Sequence, residues 1–145
     1  MAKTPLASRG NFLRALLFLP LGLCLLYLTF WLVEERLDFI AHAQRAEGHV
    51  SALNAGGSHP QIDFATASGD TFSYPENGLI FGYSVGNPVA VLYRAESPAA
   101  TAIIDDRGAL WGASLLSGLF ALVSLSGGVY HAVAWIRERR RAQSA

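Results

Sequence analysis

Residues 15–33 read ALLFLPLGLCLLYLTFWLV and residues 108–136 read GALWGASLLSGLFALVSLSGGVYHAVAWI, and neither stretch contains a charged residue. A transmembrane helix needs about 20 mostly apolar residues to cross a hydrocarbon core of about 30 Å. The first stretch has 19 residues and the second has 29. We therefore predict transmembrane helices over 15–33 and 110–136, and these two helices decide the fold class.

Three tryptophans lie near the ends of these stretches: Trp31, Trp111 and Trp135. Indole rings prefer the headgroup level of a bilayer, so we predict that all three are membrane-interface anchors. A cleaved signal peptide is the alternative for the first stretch, because a basic segment precedes it and Ala41-His42-Ala43 resembles a cleavage site. The apolar run is longer than the 7–15 residues or so that are usual for such a peptide, which favours the helix.

The formal net charge is zero, but the charges are strongly segregated. Residues 1–14 carry three bases, and residues 137–145 carry four arginines against one glutamate. The segment 34–107 carries ten acids and four bases. Because basic residues favour the cytoplasmic side, we expect both termini in the cytoplasm and 34–107 outside the inner, or plasma, membrane of a bacterium. The lipid bilayer is then a partner, and the neutral chain gives no case for nucleic acid.

The segment between the spans divides into a helical part and a β-rich part. Residues 34–47 contain no Gly or Pro and have apolar residues at helical spacing, which predicts a helical stalk that ends at Gly48. Alternating and β-branched patterns predict five short strands in 48–107. They cover 49–53, 61–66, 71–74, 88–94 and 99–104. The predicted fold is an α+β membrane protein, with two transmembrane helices flanking a small antiparallel β-barrel or sandwich-like extracytoplasmic domain.

The order of these features resembles domain-of-unknown-function family 3592, two-span bacterial membrane proteins with a small β-rich loop domain. The resemblance covers roughly residues 12–130 and depends on the order and spacing of loose motifs. They are Ala46-Glu47-Gly48-His49-Val50, Ile62-Asp63-Phe64, Gly69-Asp70, Gly86 before Val89, Val91 and Tyr93, Ser97-Pro98, and Trp111. The chain departs from the family after Tyr93 and inverts its usual Asp-Gly turn. The resemblance implies no established reaction and no catalytic residues.

The sequence carries no strong catalytic or metal-binding motif. The segment holds His42, His49 and His59 with several serines, but there is no Gly-x-Ser-x-Gly and no His-Glu-x-x-His. The lone Cys24 excludes an intramolecular disulfide, and it lies among leucines with no charge to activate its thiol. His131 lies close enough to the end of its span to reach headgroups. We expect no enzyme activity, no cofactor and no metal site.

Two features suggest contacts with other molecules. The segment GLIFGYS includes the candidate partner-binding residues Leu79, Ile80, Phe81 and Tyr83, which are either core residues or an exposed patch for a partner or the outer leaflet. Small residues of the second span form a candidate helix-packing stripe. They are Ala113, Ser117, Ala121, Ser124 and Gly128. Their partner is either the first helix of the same chain or another protein, a homo-oligomer included.

The leading hypothesis is a non-enzymatic membrane protein whose outer β domain binds a protein partner. It would be an accessory subunit or a protector against a toxin that acts at the membrane. The alternative is a self-associating structural or scaffold protein of the envelope, and a metal-binding or enzymatic factor is the third reading.

Overall fold

A computed structural model describes residues 6–54 and 59–144 of the chain. Along the chain, two long helices flank a segment of five strands and one short helix. The elements are α1 Leu6–His42, β1 Gln44–Asn54, β2 His59–Ala65, β3 Thr71–Pro75, β4 Pro88–Tyr93, α2 Pro98–Thr101, β5 Ile103–Ile104 and α3 Arg107–Gln143. The chain divides into two compact units. The first consists of Met1–Trp31 and Ser114–Ala145, and the second is Leu32–Ala113. We call these the helical unit and the β unit.

The prediction of two long apolar helices is confirmed. α1 and α3 are long and apolar enough to cross a membrane, with mean hydropathies of 2.3 and 1.7 over their most apolar stretches. Most large side chains of these stretches lie on the outside, Leu23 and Leu122 among them. Both helices extend into the predicted tails: the described part of 1–14 begins α1, and 137–143 ends α3. Residues 1–5 of the first tail lie outside the described part.

Small side chains bring the two helices of the helical unit close together. The backbone of Gly22 faces Leu125 so closely that a Cβ there would lie 2.7 Å from Leu125 Cγ. Gly128 faces Leu19 in the same way, at 2.8 Å. Contacts this close leave no room for a side chain at either glycine, as expected where helices pack through van der Waals contact.

The strands of the β unit form one antiparallel sheet in the order β3-β2-β1-β4-β5. β1 is central because its residues 44–49 pair with β4 and its residues 48–54 pair with β2. The register shifts between Val50 and Ala52, and the sheet is curled. The hairpin predicted from 61–66 and 71–74 is confirmed by the β2–β3 pairing. The five strands therefore make a single curled sheet, not the two layers of a sandwich.

Alternation along the strands decides the core. Successive side chains of a strand point to opposite faces, so every second residue enters the interior. The buried cluster contains Val50, Ile62, Phe64, Tyr74, Ile80, Val91, Tyr93, Ile104 and Ala109. A second cluster of Phe39, Leu92 and Leu110 joins the end of α1 and the start of α3 to β4. Both clusters belong to the β unit.

The predicted helical stalk over 34–47 is wrong at its C-terminal end. α1 ends at His42, and β1 begins at Gln44, four residues before Gly48. Residues 44–47 are extended because their backbone pairs with β4, from Gln44 opposite Tyr93 to Glu47 opposite Ala90. Tertiary strand pairing therefore overrides the helical spacing of this stretch.

The predicted strand over 99–104 is also wrong for most of its length. Pro98 begins a four-residue helix, and only Ile103–Ile104 pairs with β4. Pro is well suited to the first turn of a helix, because the missing N–H has no intrahelical partner there. The Thr101 hydroxyl accepts a hydrogen bond from the Arg94 backbone N–H at 2.9 Å and thus fixes this turn beside the end of β4.

A buried carboxyl group joins the two edges of the curled sheet. Glu76, directly after β3, is 3% exposed. It accepts hydrogen bonds from the backbone N–H of Ile104 at 2.7 Å, the N–H of Asn77 at 2.9 Å and the Tyr74 hydroxyl at 2.9 Å. Because Ile104 lies in β5, this side chain connects the edge strands β3 and β5. Buried polar groups are costly unless they are paired, and each of these donors gains an acceptor from Glu76.

The environment of Glu76 makes the stability of the β unit depend on pH. Burial raises the pKa of Glu76 above its ordinary value of 4.5, against the opposing effects of its hydrogen bonds and of Arg36. The native state binds the proton of Glu76 more tightly than the unfolded state does. The contribution of Glu76 to the free energy of unfolding is therefore largest below pH 4.5 and is lost as the pH rises through the raised pKa. We predict that this fall in stability is absent in Glu76→Gln, which does not titrate.

The measurement is hydrogen–deuterium exchange of the full chain in a nonionic detergent, with the Ile104 amide as reporter and with correction for intrinsic exchange. Protection in the wild type should decrease from pH 4.5 upward, while the variant should give a flat profile. The same slope in both proteins would contradict the assignment, since groups other than Glu76 would then cause the pH dependence.

Two neighbouring glycines offer a matched test of the helix packing. A Cβ at Gly128 would lie against Leu19, whereas a Cβ at Gly127 would meet nothing within 4 Å. Gly128→Leu should lower the free energy of unfolding by about 1–3 kcal/mol through overpacking, and Gly127→Leu should leave it nearly unchanged. SDS titration in mixed micelles, followed by tryptophan fluorescence, measures both, and equal effects of the two substitutions would contradict this packing.

Candidate functional site

A groove lies on the β unit where β1, β2 and β3 adjoin. Its volume is about 460 Å³. It is lined by Glu47, His49, Asp63, Phe64, Ala65, Thr71, Phe72 and Ser73. The register builds it, because His49 pairs with Asp63 and Asp63 pairs with Ser73 across the three strands. Polar and ionisable side chains thus line up on the outer face of the strands, while Phe64 and Phe72 next to them in sequence pack in the core. We call this place the sheet groove.

Hydrogen bonds hold the central carboxylate of the sheet groove in its charged form. Ser73 and Ser51 donate to Asp63 Oδ1 at 2.5 and 2.9 Å. These two hydrogen bonds lower the pKa of Asp63, partial burial opposes them, and nearby His49 adds a smaller lowering effect. Gln61 extends the network by donating to the Ser73 hydroxyl at 2.8 Å. Asp63 is therefore a fixed negative charge.

This network is better suited to recognition than to nucleophilic catalysis. A serine nucleophile needs a base that removes its proton. Ser51 and Ser73 donate instead to Asp63, and a carboxylate with a lowered pKa is a weak base. Within residues 6–54 and 59–144, no three His, Cys, Asp or Glu side chains come together in a way that could hold a metal ion. The groove offers fixed charge and hydrogen-bonding groups to a partner.

The segment 77–87, which we call the apolar loop, contains the four residues singled out as a candidate partner-binding set. The structure places these four side chains in different environments, some buried and some exposed. Ile80 is 3% exposed and belongs to the core, so it is not available to a partner. The Tyr83 hydroxyl donates to Asp106 at 3.1 Å, and burial followed by the charge of Asp106 raises the pKa of Tyr83 to about 12. Leu79 and Phe81 remain exposed, Phe81 at 83%.

The small-residue stripe packs within the chain. Ser117, Ala121 and Ser124 are buried, and Gly128 touches Leu19 of α1. The Ser117 and Thr29 hydroxyls form a hydrogen bond of 2.6 Å between the helices. Ala113 is exposed instead, because the buried face of α3 passes through Ser114. Ser117 and Gly128 therefore contact the first helix of the same chain.

A row of hydrogen-bonded polar side chains lies at one end of the helical unit, and the sequence predictions do not include it. His131 Nδ1 and Asn11 Oδ1 are 2.9 Å apart, and Asn11 Nδ2 donates to Glu138 Oε1 at 3.0 Å. The Asn11 oxygen can only accept, so Nδ1 of His131 is the donor. The signal available in the sequence was the spacing of seven between His131 and Glu138, which places them on one face of a helix. These hydrogen bonds join α1 to α3.

The three predicted anchors occupy different environments. Trp31 is half exposed, and Trp111 and Trp135 are partly buried. The Trp135 ring packs against Phe12, with centroids 5.1 Å apart, and the Arg139 guanidinium lies 4.9 Å from its centroid. Cys24 lies on the exposed side of α1.

Comparison with known proteins gives one informative relative. No family model and no solved structure matches this chain, so the resemblance to family 3592 stays a prediction. The chain is 56% identical over 119 residues to the immune protein Tsi4 of Pseudomonas aeruginosa. The aligned residues cover 81% of this chain and 82% of Tsi4. Identity at this level over most of both chains shows common descent and a common fold. The chain belongs to the family of the immune protein Tsi4.

Proposed function

We propose that this protein is an immunity protein that protects a bacterial cell by binding a toxin. The observation that carries the proposal is the 56% identity to immune protein Tsi4 along most of both chains. The leading hypothesis from the sequence was an accessory subunit or a protector, and it rested on the two-span architecture with its outer domain. The relationship to Tsi4 favours the protector over the accessory subunit.

We propose further that α1 and α3 cross the inner membrane, with both termini in the cytoplasm and 34–107 outside. The outward-facing leucines of both helices support this, because an apolar exterior of this length is favourable in lipid and unfavourable in water. The basic residues at 137–141 support the orientation. The Thr29–Ser117 hydrogen bond also suits a lipid environment, because it pairs two hydroxyls that lipid could not solvate.

The proposed mode of protection is binding without catalysis, with the sheet groove as the contact for the toxin. Glu47 and Asp63 give the groove negative charge, and the hydroxyls of Thr71 and Ser73 give it hydrogen-bonding groups. The fixed charge of Asp63 costs no reorganisation when a partner binds. The chemistry fits a segment of the toxin that carries a basic side chain.

The alternative of a self-associating envelope scaffold has less support. It depended on a free stripe of small residues on α3 that a second copy could cover. Ala121 is 1% exposed within the single chain, and Gly128 already contacts Leu19. The greater part of the stripe is therefore occupied before any second copy arrives.

The first test of the proposed function is depletion of this protein in the bacterium that encodes it, followed by cell counts. Viability should fall about tenfold or more, because an unblocked toxin acts on the cell. A tagged copy of the full chain should restore viability, and in-cell cross-linking followed by mass spectrometry should recover one foreign protein with it. Normal growth of depleted cells, with only the chain itself recovered, would contradict the proposal.

The second test asks whether the toxin contacts the sheet groove. Glu47→Arg reverses an exposed charge in the groove, and Glu96→Arg is its matched control because Glu96 is also an exposed acid of the β unit. Glu47→Arg should weaken retention of the cross-linked partner about tenfold, since a reversed charge repels a basic segment. Glu96→Arg should not change it. Equal retention in both variants would place the contact elsewhere on the protein.

A further inference from the structure

The apolar loop leaves large side chains in an exposed position. Its sequence from 77 to 87, NGLIFGYSVGN, contains no charged residue. Leu79 is 42% exposed, Phe81 83% and Val85 61%. An apolar patch of this kind on a protein surface marks a place of contact with another molecule or with a membrane.

The exposed side chains are held outward by the rest of the loop. Ile80 on one side of Phe81 is buried in the core, and Tyr83 on the other side donates to Asp106. Gly82 between them has a φ of 82°, a conformation that residues with side chains rarely adopt. These anchors keep the Phe81 ring from folding back onto the β unit.

The loop lies against the first turns of α3. The Leu79 N–H donates to the Gly108 carbonyl oxygen at 3.3 Å. A Cβ at Gly112 would lie 3.3 Å from the Leu79 side chain, and one at Gly78 would lie 3.0 Å from Ala109 Cα. Residue 108 is where the charge-free run of α3 begins, and Trp111 lies in the same turn. The loop is therefore beside the place where α3 would enter the bilayer.

We propose that the apolar loop is a lipid-binding element that inserts Phe81 and Val85 into the boundary between headgroups and acyl chains of the outer leaflet. This inference rests on the proposed membrane placement. Continuity with the start of the apolar run selects lipid as the occupant, and so does the lack of charge in the loop. A protein partner has a separate, charged surface in the sheet groove.

The test is a measurement of depth by nitroxide labelling of the full chain in vesicles of phosphatidylethanolamine and phosphatidylglycerol. Cys24→Ser removes the native thiol, and single cysteines are then introduced by Phe81→Cys, Ala67→Cys or Leu122→Cys. Ala67 is exposed after β2 and serves as the aqueous reference, while Leu122 is exposed on α3 and serves as the lipid reference. Collision of each label with oxygen, which prefers lipid, is compared with collision with a water-soluble nickel chelate.

The label at 81 should give an oxygen-to-nickel collision ratio at least about threefold that at 67, as expected for a side chain some 5–10 Å below the surface. A ratio at 81 equal to that at 67, with a lipid-like ratio at 122, would overturn the loop proposal and leave the membrane placement intact. A water-like ratio at 122 would instead refute the membrane placement itself. The label at 81 could instead be accessible to water in the protein alone and shielded only after the toxin is cross-linked. The loop would then contact a protein, and that result also overturns the proposal.

Discussion

The β unit depends on the buried carboxyl group of Glu76. A five-stranded sheet in the order β3-β2-β1-β4-β5 has two free edges, and in so small a unit the core alone gives little stability. Glu76 joins these edges by accepting hydrogen bonds from Ile104 in β5 and from Tyr74 in β3. Burial keeps the pKa of Tyr74 well above its usual range, so its hydroxyl remains a donor. The sheet can therefore curl without leaving these groups unpaired.

The helical unit solves a different physical problem with different residues. In the proposed membrane placement the two helices lie in lipid, where no hydrophobic driving force acts between them, so close packing and paired polar groups must hold them together. Gly22 and Gly128 provide the close packing, and Thr29 with Ser117 provides a hydrogen bond. The chain His131–Asn11–Glu138 adds polar contacts at one end. Each of these contacts lies within one chain.

The two proposed contact surfaces differ in chemistry, as two different proposed partners would require. The sheet groove presents the fixed charge of Asp63 beside hydrogen-bonding side chains, which suits a charged segment of a protein. The apolar loop presents Phe81 and Val85 with no charge nearby in sequence, as partition into a lipid boundary requires. An immunity protein that must meet its toxin at the membrane would use both. Membership in the Tsi4 family fits this division of labour.

The sequence by itself determined the features that depend on local pattern. Two charge-free runs predicted two long helices, and alternation around Gly69 predicted the β2–β3 hairpin, since period and turn residues are readable within a few residues. Only the tertiary structure decided features that depend on partners distant in the chain. It ended α1 at His42 because Gln44 pairs with β4, and it buried Glu76 because Ile104 lies opposite. It also separated Ile80 from Phe81, because neighbours in a charge-free loop have no period that tells the core side from the exposed side.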